Sequence, residues 1–156
     1  MWDCGGERGA RILVDASVLV AMNRYRQNSA EKTEAGGVLL GYRRGIHLHV
    51  TIATEPSNED VRRRRLFERT SRVHQAIATD HWRLSGGTIA YLGEWHTHPE
   101  VHPSPSSLDF KEWYLICRQQ RVPMIFVIVG VDGALWLGCS SRGGVKRCST
   151  LSLESS

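Results

Sequence analysis

The chain has 156 residues, enough for one hydrophobic core and too few for two ordinary domains. Its 41% hydrophobic and 23% charged residues describe a globular protein, and no apolar stretch reaches the roughly 18 residues that a membrane span needs. The formal net charge is +4, much of it local to Arg62, Arg63, Arg64 and Arg65. Such a run can meet phosphates or an acidic protein surface. No aromatic residue interleaves it, as a single-strand groove would require, so a solvated helix face or a loop is expected and nucleic acid is not.

The start, Met1-Trp2-Asp3-Cys4, lacks a basic segment. The first apolar stretch, Ile12 to Met22, is broken by Asp15. That is not a signal peptide, and a cytoplasmic location is expected. Cys4, Cys117, Cys139 and Cys148 are widely spaced and none forms a C-x-x-C pair. The spacing suggests no cysteine metal site. It suggests thiols, with Cys117 and Cys139 packed in the core.

Arg11 to Val14 predicts a short strand. Ala16 to Arg26 places Val18, Leu19, Met22 and Tyr25 at helical spacing. Gln27 to Thr33 is polar and predicts a loop. Ala35 to Tyr42 and Ile46 to Ala53 flank Arg44-Gly45 and predict a hairpin. Glu55 to Asp60 predicts a loop, and a helix is expected from about Ser71, closed by Gly86-Gly87. Thr88 to His96 reads as a buried strand. Pro99, Pro103 and Pro105 then enforce a stiff, non-helical loop. Ser106 opens a helix with Leu108, Trp113, Ile116 and Cys117 inside. Pro123 to Gly130 predicts an apolar strand, Asp132-Gly133 a hairpin turn into Ala134 to Cys139, and Val145 to Leu153 a last strand after Gly143-Gly144. The tail, Glu154-Ser155-Ser156, is expected to fray. This order predicts an α/β (α+β) fold with a mixed, mostly antiparallel sheet flanked by helices.

The stretch Glu94-Trp95-His96-Thr97-His98-Pro99 carries the chemistry. Residues i and i+2 of a strand share a face, so both imidazoles reach one ion. Pro99 stops the strand and exposes both rings at the sheet end. Asp109 lies in the first turn of the next helix, and the proline loop returns it to the strand end. Two histidines and a carboxylate leave a fourth position for water, the layout of a catalytic zinc site. Glu34, at the mouth of a glycine-containing strand, is the candidate general base, with Glu94 and Glu100 as rivals by proximity. Ser106 can donate to a developing oxyanion. Each part has a plainer reading. His47 and His49 repeat the H-x-H spacing on an ordinary strand, and Ser106-x-x-Asp109 is also a helix capping box.

The combination resembles the JAB/MPN metalloprotease family and its JAMM motif. That pattern has a glutamate on an early strand, then H-[S/T]-H-P, seven residues to a serine, and an aspartate three further on. Glu34, His96-Thr97-His98-Pro99, Ser106 and Asp109 fill every position. The resemblance implies one JAB/MPN domain over residues 1–156, with a cytidine-deaminase-like core from about 11 to 153. It implies a zinc held by His96, His98 and Asp109, Glu34 as acid and base, and Ser106 as oxyanion donor. Residues from about 55 to 87 would be an insertion over the site, as deubiquitinases of this family use to hold a modifier tail.

The phrases Gly37 to Gly45 and Gly93 to Glu100 look most like the small prokaryotic JAB proteases, including those of CBASS anti-phage operons. The implied activity is cleavage of a peptide or isopeptide bond between the C-terminus of a modifier-like protein, such as a nucleotidyltransferase, and its target. The implied partners are that conjugate and ubiquitin-activating or ubiquitin-conjugating-like proteins of the same operon. A non-catalytic MPN scaffold, or a JAB protein linked to DNA, are the alternatives.

Overall fold

In the computed structural model the described residues are 1–5, 9–70, 72–141 and 144–151. Chain order gives β1 (Trp2–Asp3), β2 (Arg11–Val14), α1 (Ala16–Asn23), β3 (Gly36–Arg44), β4 (His47–Ala53), β5 (Val61–Arg63), β6 (Leu66–Glu68), α2 (Arg72–Leu84), β7 (Ala90–Thr97), α3 (Ser107–Gln120), β8 (Ile125–Val129), β9 (Leu135–Ser141), β10 (Gly144–Arg147) and β11 (Ser149–Thr150). Nine strands join one sheet in the order β10-β9-β8-β7-β3-β4-β2-β1-β11, and β5 and β6 form a separate hairpin. Among the described residues, only β2 with β4 and β7 with β8 pair in parallel. The sheet is mixed and mostly antiparallel, as the residue pattern predicts.

Both faces of the sheet are covered, which is why β8 reads as unbroken apolar sequence. Ile125, Val127 and Val129 join Val18 and Met22 of α1, Leu39, Leu92 and Trp95 in one core. Met124, Phe126 and Ile128 join Trp113 of α3 and Trp136 in the other. Leu39 pairs with Gly93 and Leu40 with Tyr91, so β7 carries one extra residue there. That bulge requires Gly93: φ is +159°, and a Cβ would sit 1.6 Å from the Ile125 carbonyl oxygen.

Several expectations shift. α1 ends at Asn23, short of Arg26, because Tyr25 and Arg26 bond back only three residues, tightening the last turn. Leu108, expected inside α3, is exposed; the face that Trp113 defines excludes it. Cys117 is only partly buried, against the second core, whereas Cys139 is buried. The arginine run is neither a helix face nor a plain loop. Arg62 and Arg63 lie in β5, and Arg64 and Arg65 make the turn into β6.

The expected last strand breaks at Cys148, whose N–H bonds the Leu137 carbonyl before Ser149 pairs with Asp3. β10 and β11 are opposite edges of the sheet yet one residue apart in the chain, so the sheet curls until its ends meet. Ser71, Gly143, Leu153 and the tail 154–156 lie outside the described residues. No helix among the described residues is long and apolar enough to cross a membrane.

Candidate metal centre and active site

Alternation along β7 divides its side chains. Trp95 belongs to the first core, while the His96 ring lies 6.0 Å from that of Trp113 on the other face. His98 continues the phase of His96. Its N–H bonds the Val129 carbonyl at 3.0 Å, so the ladder runs one residue past the strand before Pro99 stops it.

Thr97 fixes the neighbouring chain. Its N–H bonds the Ala35 carbonyl at 2.8 Å, and its hydroxyl oxygen accepts from Ala35 N–H at 3.0 Å. The same hydroxyl donates to Gln27 Oε1 at 3.0 Å. Glu34 is thereby seated beside the histidines. Gly36 makes the seat possible: a Cβ there would lie 2.5 Å from the Trp95 carbonyl oxygen and 2.7 Å from the Phe67 ring. From the other side, Glu34 N–H donates to the Arg63 carbonyl at 2.6 Å, and Arg62 Nε donates to the Glu34 carbonyl at 3.0 Å.

Asp109 arrives on α3. Ser106 is the N-cap: its Oγ accepts from Asp109 N–H at 3.1 Å, and Ser106 N–H donates to Asp109 Oδ2 at 2.8 Å. Trp113, one turn on, is 3% exposed and stacks on Phe126 and Trp136 at 4.8 and 5.4 Å. Positions i and i+4 share a helix face, so that anchor turns Asp109 toward β7.

His96 Nε2 and His98 Nε2 are 3.0 Å apart. Asp109 Oδ1 is 3.2 Å from the first and Oδ2 is 3.3 Å from the second. Zinc–nitrogen bonds of about 2.0–2.1 Å in tetrahedral geometry place two nitrogens roughly 3.3 Å apart. The donor set and spacing fit such an ion. Glu34 Oε1 lies 4.0 Å from His98 Nε2. Burial pushes the Glu34 carboxyl up to about 7, against the pull of His98. Burial also acts against charge on Asp109, but hydrogen bonds from His96 and His98 outweigh it and hold that carboxyl well below the usual range.

The rival carboxylates separate. Glu100 Oε1 bonds His98 Nδ1 at 2.8 Å, which leaves Nε2 facing His96 and Asp109. Glu94 is held by Arg69 Nη2 at 2.8 Å, Arg69 Nε at 3.1 Å and the Tyr91 hydroxyl at 3.1 Å. Glu34, Glu94, His96, His98, Glu100 and Asp109 open on one cleft of about 670 Å³, lined also by Arg65, Leu66, Phe67, Leu108 and Leu115.

A profile of prokaryotic homologs of the JAB domain matches residues 16–138. The chain belongs to that family. A CD-NTase/cGAS isopeptidase of Escherichia coli is 41% identical over 136 residues, covering 87% of this chain and 86% of that protein. One of the same name from Pseudomonas aeruginosa is 47% identical over 116 residues, covering 73% of each. A Desulfitobacterium hafniense protein of known solution structure shares the fold, with a TM-score of 0.65 at 21% identity over 87% of this chain and 88% of that one.

This JAB chain also holds a buried polar network that the sequence reading missed. His74 is fully buried; its Nδ1 meets Thr54 Oγ1 and its Nε2 meets Asp60 Oδ2, each at 2.6 Å. The order hydroxyl, imidazole, carboxylate resembles a nucleophile's relay. However, Thr54 is buried, and its oxygen accepts from Val38 N–H at 2.8 Å while its carbonyl accepts from Trp95 Nε1 at 2.9 Å. The network therefore ties α2 to β3 and β7. The second H-x-H pair is engaged elsewhere: His47 Nδ1 accepts from Arg11 N–H at 3.0 Å, and His49, half-buried, pairs with Asp15 at 2.7 Å.

Proposed function

We propose that this JAB protein is a zinc-dependent isopeptidase or peptidase acting on a conjugate at the C-terminus of a nucleotidyltransferase-like protein in the cytoplasm. The observation that carries the reading is the convergence of His96, His98 and Asp109 beside the buried Glu34 in one open cleft. His96, His98 and Asp109 hold the ion in this reading, and a zinc ion there supplies Lewis acidity toward a water molecule and a scissile carbonyl.

The protein's own groups do the rest. Glu34 takes a proton from the attacking water and returns it to the leaving amine as the C–N bond breaks; its burial raises the carboxyl and favours holding the proton between the two transfers. Ser106 accepts from Asp109 N–H and keeps its own O–H, which donates to the developing oxyanion. The segment from about 55 to 87 acts as an insertion. Its β5–β6 hairpin walls the cleft and, with Leu108 and Leu115, receives an extended, flexible C-terminal tail.

The relatives named CD-NTase/cGAS isopeptidase support the substrate class. A non-catalytic scaffold fits less well, because Glu34, His96, His98, Ser106 and Asp109 are all present and all line one cleft. A nucleic-acid role finds little support, because Arg62 and Arg64 donate to the carbonyls of Glu34, Ser29 and Ala30.

The test is a cleavage assay with the full chain and a nucleotidyltransferase joined through its C-terminal carboxyl to a lysine of a carrier protein. Release of the intact C-terminus, abolished by a chelator and restored by zinc, is expected. No cleavage by zinc-loaded protein, across conjugate and linear fusion alike, overturns the reading.

A further inference from the structure

Outside the cleft, the fold gathers three of the four cysteines. Cys4 follows β1, Cys139 lies in β9, and Cys148 joins β10 to β11. Their three Sγ atoms all lie within 4.8 Å of one another, and those of Cys4 and Cys148 are 3.4 Å apart. Cys139 and Cys148 are buried and Cys4 is half-buried. The meeting point is the seam where the two ends of the curled sheet come together.

We propose that Cys4, Cys139 and Cys148 bind one zinc ion through three thiolates and so clip the two ends of the sheet. Zinc–thiolate bonds of about 2.3 Å in tetrahedral geometry put sulfurs roughly 3.8 Å apart, within the spacing found here. A disulfide would require about 2.05 Å. As the three S–Zn bonds form, the three S–H protons pass to solvent. Cys4, half-buried, is the side from which a fourth ligand would have to enter. Three thiolates and one divalent cation leave a net charge of −1, and Lys146, two residues before Cys148, is the nearby cation. Ligands drawn from residues 4, 139 and 148 span almost the whole chain. A clip there closes a loop of nearly the whole chain, and long loops are where a cross-link restrains the unfolded chain most in principle.

This site is independent of the histidine centre, and the experiment separates them. Zinc per chain is measured on the full wild-type protein, Cys139→Ser and Asp109→Ala, each checked for native circular dichroism. Cobalt-loaded samples are read for the near-ultraviolet thiolate-to-cobalt charge-transfer band. The expected result is about one zinc fewer in Cys139→Ser with loss of the band, and a retained band in Asp109→Ala. If Cys139→Ser fails to fold, a thiol-blocking mercurial on wild-type protein is expected to release about one zinc, counted with a chromogenic chelator. An unchanged zinc count in folded Cys139→Ser, no thiolate band in wild-type protein, no mercurial-released zinc, or a Cys4–Cys148 disulfide found by mass spectrometry overturns the proposal.

Discussion

Asp109 offers one oxygen to two partners: its Oδ2 accepts the Ser106 backbone N–H at 2.8 Å and lies 3.3 Å from His98 Nε2. The capping-box reading and the metal-ligand reading of Ser106-x-x-Asp109 are therefore compatible. The cap holds the carboxylate in place, and the other oxygen, 3.2 Å from His96 Nε2, faces the second ring.

Ser106→Ala removes the side-chain acceptor of that cap and the proposed oxyanion donor together. The expected stability loss is about 1 kcal/mol in urea denaturation. The expected loss in kcat is about 10²–10³, with KM little changed. A kcat near wild type alongside the stability loss would reduce Ser106 to a helix cap.

Glu100 holds His98 through Nδ1 at 2.8 Å and so sets which nitrogen faces the proposed metal position. Glu100→Gln is expected to weaken zinc affinity about 10–100-fold in a chelator competition. Glu94→Gln is expected to leave that affinity unchanged, because Glu94 is occupied by Arg69 and Tyr91.

Metal-free protein carries a pH signature of Glu34. Burial raises its carboxyl from 4.5 to about 7, so between those values the folded state binds more protons than the unfolded chain. Stability from this group is present below about 4.5 and is lost as pH rises toward 7, by roughly 3 kcal/mol at most. Glu34→Gln is expected to flatten that fall relative to wild type in metal-free denaturation curves. An identical slope would contradict it.

The Thr54 hydroxyl accepts from Val38 N–H and meets His74 Nδ1 in a buried setting. Thr54→Val strips both partners, and each buried group left unsatisfied costs about 1–3 kcal/mol. The urea midpoint is expected to drop with zinc content preserved.

The legible parts of this molecule were the local ones. Period-two alternation around Ile46 to Ala53 and the apolar run at Ile125 to Val129 gave their strands, and Pro99 marked where β7 stops. Glu94, His96 and His98 share a face because they are two apart. The bulge at Gly93 sets that face without showing in the periodicity. What escaped was non-local. The partners of His74 stand 14 and 20 residues away. Residues 61–68 hide a hairpin because arginines occupy its first strand and its turn. Cys4, Cys139 and Cys148 meet only because the sheet curls, which no spacing rule anticipates.

The most direct test of the zinc-hydrolase reading is the cleavage rate of Glu34→Gln, measured on the C-terminal conjugate at wild-type zinc occupancy. Glu34 is predicted to move the proton without holding the ion, so the variant keeps its zinc and loses about 10²–10⁴ in rate. Cleavage at the wild-type rate with zinc in place would contradict the account.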